Sequence, residues 1–112
     1  MDKHSEKIVR TKDVIGVEVK NRADEKLGKI DEIVMDKITG QINYVVLECG
    51  GVLGVGSKLF ALPWNAIQYD KEEKSFLANI DKERLKNATG FNKDHWPDTA
   101  DSTTFTKYTE TV

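Results

Sequence analysis

The hydrophobic residues of this chain fall in short runs separated by polar turns. Val17 and Val19 alternate with Glu18 and Lys20, which predicts a half-buried first strand over Val14–Lys20. Asn21–Lys26 is a polar turn. Leu27–Asp36 reads as a second strand whose alternation slips: Ile30 lies on the even positions, Ile33 and Met35 on the odd ones. One uninterrupted period of two cannot bury all three. A β-bulge near Asp31–Glu32 is therefore expected, and bulges bend strands as small barrels require. Lys37–Gly40 makes a hairpin turn, with Gly40 available for positive φ.

Gln41–Cys49 predicts a third strand of a different kind. Ile42, Tyr44 and Val46 share one face, and Val45, Leu47 and Cys49 share the other. A strand in a one-sided sheet alternates cleanly. This one needs two covers: the barrel interior on one face, and another segment or another subunit on the other. After a glycine-rich loop, Lys58–Pro63 is a fourth strand ended by a proline that cannot donate to a ladder. Ala66–Tyr69 and Ser75–Ile80 are a fifth and a sixth strand, with a charged turn at Lys71–Lys74 between them. Asp81–Ala88 is the one convincing helix. Asp81 suits the N-cap, Ile80 and Leu85 occupy the positions of a hydrophobic staple, and Gly90 can end the helix.

These elements give one mostly β domain over residues 13–98, a small barrel of about six strands with one short C-terminal helix. Residues 1–12 read as a flexible lead-in, with Ile8 and Val9 candidates to dock on the body. Phe91 and Trp96 are candidates to pin the segment after the helix. Residues 99–112 are threonine-rich and aperiodic, which predicts a mobile, disordered tail.

Composition narrows the function. With 112 residues there is room for one domain, and a net charge of -2 argues against generic nucleic-acid binding. The lone Cys49 excludes a disulfide framework within one chain and a multi-cysteine zinc site. Met1–Lys7 lacks the apolar core of a signal peptide, and no apolar run approaches the roughly 20 residues that span a bilayer. The expectation is a cytoplasmic protein without membrane insertion.

The candidate chemistry is thin. Gly51-x-x-x-x-Gly56 followed by Ser57-Lys58 approaches a phosphate-binding loop, but Lys and Ser stand in the reverse order, and a strand rather than a helix follows. Gly54-x-Gly56 lacks the third glycine of a dinucleotide fingerprint, at Leu59. These glycines serve a backbone turn; an anion-binding nest is the alternative. His4 and His95 show no metal-ligand spacing, and Cys49 has no histidine near it in sequence. The pairs Asp31–Glu32 and Glu72–Glu73 read as exposed acids in a bulge and a turn. No catalytic residue, cofactor or metal site is expected. The residues that invite a function are Val52, Leu53 and Val55, set among glycines, with Trp64 at the end of the following strand. They either cap the barrel end or form an exposed apolar patch for a protein partner.

Taken together, Val14–Val19, Leu27–Asp36, the Thr39–Gly40 turn with Ile42–Leu47, and Gly50–Trp64 resemble the PRC-barrel family. That domain is shared by the cytoplasmic part of the photosynthetic reaction-centre H subunit, the C-terminal part of a ribosome maturation factor and many small stand-alone proteins. The similarity runs over about residues 13–91. It departs at Asn21–Lys26, which lacks a glycine often found there, and at Asn87–Phe91, which lacks the family's usual proline. The resemblance implies a small β-barrel without catalytic residues, acting as an interaction or assembly module, often self-associating. A homodimer acting through protein–protein contacts is the leading expectation. The alternatives are a ribosome- or RNA-processing-associated factor and a small ligand or anion binder using the Gly50–Gly56 loop.

Overall fold

The structure, a computed structural model, describes residues 7–50 and 56–109. A helical turn α1 (Thr11–Val14) leads into β1 (Glu18–Lys20), β2 (Lys26–Met35), β3 (Ile42–Cys49) and β4 (Lys58–Leu62). A 3-10 turn (Trp64–Ala66), β5 (Ile67–Asp70), β6 (Ser75–Ala78) and α2 (Lys82–Asn87) follow. The strands form one sheet in the order β4-β3-β2-β1-β6-β5, antiparallel except for the parallel pair of β1 and β6.

The first strand is shorter than its alternation predicts. Gly16, at φ +89, turns the backbone between α1 and β1, so Val14 enters the core from a helical turn and the ladder starts only at Glu18. Ile8 and Val9 stay largely exposed and do not dock. The expected bulge is present: the β2–β3 register shifts between Ile30 and Glu32, and again between Val34 and Met35. The first shift buries Ile30 while letting Ile33 pack against the same core. Gly40 takes φ +80 at the hairpin, and Asp24, at φ +62, fills the left-handed position in a turn that has no glycine. Asn21 secures that turn. Its side-chain oxygen accepts from the Ala23 and Glu25 amides, and its amide group donates to Ile80 O at 3.1 Å.

The domain is mostly β as expected, and its six strands form a sheet that does not close. No ladder joins β4 to β5 among the described residues; the two strands lie at opposite edges. Pro63 ends β4, and the 3-10 turn sends the chain off to pair with β6 instead. The outer carbonyls of β4 are taken by the C-terminal segment: Phe91 N–H donates to Leu59 O at 2.8 Å and Asp101 N–H to Ala61 O at 2.9 Å.

That segment also overturns the expected mobile tail, as far as Thr109. Phe105 and Tyr108 are buried, Phe105 within the main core and edge-on to Phe60 at 5.7 Å. Asp101 shapes the turn that aims it, its carboxylate accepting from Thr103 Oγ1 and the Thr104 amide. The helix α2 starts as expected, with the Asp81 carboxylate accepting from the Glu83 amide at 3.1 Å. Gly90 does not end it. A Cβ there would stand 2.5 Å from Leu59 O, so Gly90 is required by the close passage of the chain over β4.

Candidate interaction surfaces

Each face of β3 has its own apolar cluster. Val45, Leu47 and Cys49 belong to the main core with Ile30, Phe60, Leu62 and Phe76. Tyr44 and Val46 form a second cluster with Leu59 and Ala61. The cover of that second face comes from the same chain: Phe91 and Ala100 pack on it, and the Tyr44 hydroxyl donates to Pro97 O at 2.7 Å. Phe91 meets Tyr44 edge-on at 6.5 Å and Trp96 at 5.3 Å. Of the two covers the sequence left open, another segment or another subunit, the structure supplies the segment. Trp96 remains half exposed at the edge of this cover.

At the β2–β3 hairpin the second register shift turns Ile42 away from Tyr44, contrary to its expected alternation, onto the face of Val45 and Leu47, and that end of the sheet stays bare. Met35 lies opposite Ile42 across the ladder, and Ile38 stands in the turn between them. They are 55%, 43% and 86% exposed. The turn is well fixed. The Asp36 carboxylate accepts from the Ile38 amide at 2.7 Å and the Thr39 amide at 3.0 Å, and Gly40 N–H donates to Asp36 O at 2.8 Å. Ile38 is thus presented to solvent from a stiff support. Sequence reasoning missed this surface. The signal was an isoleucine in a turn, at a position polar residues usually fill.

Of the residues the sequence singled out, Trp64 is 39% exposed and stands edge-on to Phe76 at 6.0 Å. Tyr69 approaches the same Phe76 at 5.2 Å, so two exposed rings flank a buried one. Val52, Leu53 and Val55 lie outside the described residues, as does the interior of the glycine loop. Its two ends, Gly50 and Gly56, have φ +72 and +78, which fits a turning role.

Cys49 is buried, and burial, then the Glu48 carboxylate, pushes its thiol up to about 12, with Lys58 opposing. Such a thiol is protonated and a poor nucleophile. His95 is exposed, and among the described residues no group of three or more His, Cys, Asp or Glu side chains is placed to hold a metal ion. An open cleft of about 390 Å³ lies between the β1–β2 and β5–β6 turns, lined among others by Lys20, Arg22, Asp24, Glu73 and Ser75. The Lys20 ammonium sits 3.6–3.8 Å from the carboxylates of Glu18, Asp24 and Glu73. Burial opposes its charge, but the three acids together raise its pKa. The Ser75 hydroxyl at this cleft is buried, with no hydrogen-bond partner among the described residues. Among the described residues no helix is long and apolar enough to cross a membrane.

An open six-stranded sheet, bulged in β2 and carrying one short helix after its last strand, defines a small β-domain module. The chain belongs to the PRC-barrel domain family, whose model matches residues 6–85. No curated protein matches it closely enough to count as a relative.

Proposed function

We propose that this domain is a non-catalytic interaction and assembly module that acts through protein–protein contacts as a homodimer. The observation that carries the reading is the hairpin tip, where Met35 and Ile42, paired across the ladder, and Ile38, in the hydrogen-bonded turn between them, are three large apolar side chains left exposed. Exposing them to water costs free energy that a partner surface recovers, and contiguous patches of roughly a few hundred Å² mark contact sites. A stable dimer buries about 800 Å² per partner, so the tip is the centre of the contact and not all of it. Family membership supports the role of a small module. The reading takes the protein to be cytoplasmic, supported by a single cysteine kept as a buried thiol.

Sedimentation at tens of micromolar, on the order of the affinity expected for a moderate contact, tests it. Wild type is expected to sediment as a dimer and Ile38→Asp as a monomer of unchanged fold. A wild type that stays strictly monomeric overturns the homodimer.

A further inference from the structure

The matched part of the chain ends at residue 85, yet the chain continues over the body as far as Thr109. This continuation is held at separate points. Phe91 N–H and Asp101 N–H reach the outer carbonyls of β4, Phe105 enters the main core, and Tyr108 N–H donates to Asn65 O at 2.8 Å. Between the first two points Asn92–Trp96 is exposed throughout. Segments anchored at a few points, with solvent-exposed backbone between them, open at a lower free energy than the whole fold. What the segment covers is the reverse: an edge strand with carbonyls aimed outward, beside the buried apolar cluster of Tyr44, Val46, Leu59 and Ala61. Such an edge, once bare, accepts another strand-like segment.

The seat is specific. It requires two backbone donors and a buried aromatic ring in fixed register, with a glycine where the chain crosses Leu59. The sequence that meets these requirements is the chain's own. The hinge is also defined. The Lys58 ammonium donates to Lys86 O at 2.6 Å and Ala88 O at 2.9 Å, so α2 stays with its own body and the chain is free to redirect between Ala88 and Gly90.

We infer that the segment from Gly90 to Thr109 is an exchangeable strap: it lifts from a sheet that stays folded and seats on the β4 edge and Phe105 slot of a second copy. Every bond the strap gives up on its own body it makes again on the other, which is why exchange of an identical element is a low-cost route to a dimer. The inference rests on the self-association reading and gives it a second mode, distinct from the hairpin tip.

The test uses full-length chains in a Cys49→Ala background. Asn79 donates through its side chain to Thr109 O at 2.7 Å, and both residues are exposed. One chain carries Asn79→Cys, the other Thr109→Cys, and a short bis-maleimide links thiols that sit together. A chain carrying both substitutions gives the intramolecular link and shows that the seat is formed. Exchange predicts a covalent heterodimer in the equal mixture of single-cysteine chains, lost on hundredfold dilution before linking. Hydrogen exchange on the unmodified chain is expected to release the amides of Phe91, Asp101 and Tyr108 well before those of β2 and β3. An intramolecular link in the double variant with no heterodimer in the mixture overturns the strap. If wild type then still sediments as a dimer abolished by Ile38→Asp, the self-association reading stands without it. A heterodimer that survives Ile38→Asp retains the strap and removes the hairpin tip from the dimer.

Discussion

Alkaline titration tests the burial of Cys49. The residue ends β3 in the main core, and burial, followed by the Glu48 carboxylate, raises its thiol from 9.0 to about 12. The folded protein therefore keeps a proton that the unfolded chain releases first. A group raised on folding stabilises fully below its unfolded pKa, and that stability drains as pH climbs through the window to the folded value. The window here runs from 9.0 to about 12. At about 1.4 kcal/mol per unit, the full loss is on the order of 4 kcal/mol, and about 2 kcal/mol is gone near pH 10.5. Tyr44 changes in the same direction, raised by burial and then by Asp98, so wild type alone does not isolate the thiol. Cys49→Ala does, because it retains Tyr44 and loses only the titrating sulfur, at a cavity cost of roughly 1 kcal/mol that does not change with pH. Urea unfolding of both chains near pH 8 and pH 10.5 gives the difference. Wild type is expected to lose about 2 kcal/mol more than the variant over that interval. Equal losses in the two chains would refute the burial argument, and so would a native thiol that reacts with maleimide near pH 8 as fast as the urea-unfolded chain.

Three further substitutions probe separate parts of the structure. A Cβ at Gly28 would fall on the Glu48 carbonyl oxygen and stand 3.3 Å from the Cys49 Cα, so Gly28→Ala must part β2 from β3. A loss of about 3 kcal/mol is expected in urea unfolding, and a neutral result would mean that the two strands are not in this register. Lys20→Gln leaves Glu18, Asp24 and Glu73 facing one another without their shared cation. Its melting temperature should fall at low salt and recover toward wild type at high salt, whereas a salt-independent deficit would point to lost packing instead. Tyr44→Phe removes the hydroxyl that holds Pro97 O and should cost about 1 kcal/mol while accelerating hydrogen exchange in the segment that follows α2.

Much of this fold is legible in the sequence because local rules decide it. The slip between Ile30 and Ile33 has one economical remedy, and the bulge is there. Asp81 and Gly40 do what short-range chemistry asks of them. The failures are nonlocal. Gly90 resembles a helix terminator, but its role is set by the backbone of Leu59, far back in the chain and pressed against it in space. Barrel closure depends on where the chain goes after Pro63, and the alternation of Ala66–Tyr69 is the same whether that strand pairs with β4 or with β6. Residues 99–109 lack periodicity because they form no regular element. Phe105 and Tyr108 nevertheless anchor them as single aromatic side chains, a signal that periodic reading does not register.

The third strand shows why a doubly apolar pattern is a poor guide to an interaction surface. Such a pattern reports how many faces are covered, and it carries no information about which chain covers them. Here Phe91, Ala100 and Tyr44's bond to Pro97 O supply the second cover from within, so the buried residues of β3 give no reason to expect a partner. The reason lies at the hairpin tip, on the other face. The register shift between Val34 and Met35 turns Ile42 away from Tyr44 and Val46 to the face of Val45 and Leu47, where it is 43% exposed, and Met35 opposite it is more exposed still. The segment that covers Tyr44 and Val46 therefore does nothing for this pair, which is left open at the hairpin end of the other face. A substitution at Ile38 should act on association and leave stability nearly untouched, while one at Tyr44 should act on stability first. If both acted on stability alone, the hairpin tip would be an ordinary solvent-exposed turn and the module would have to meet its partner elsewhere.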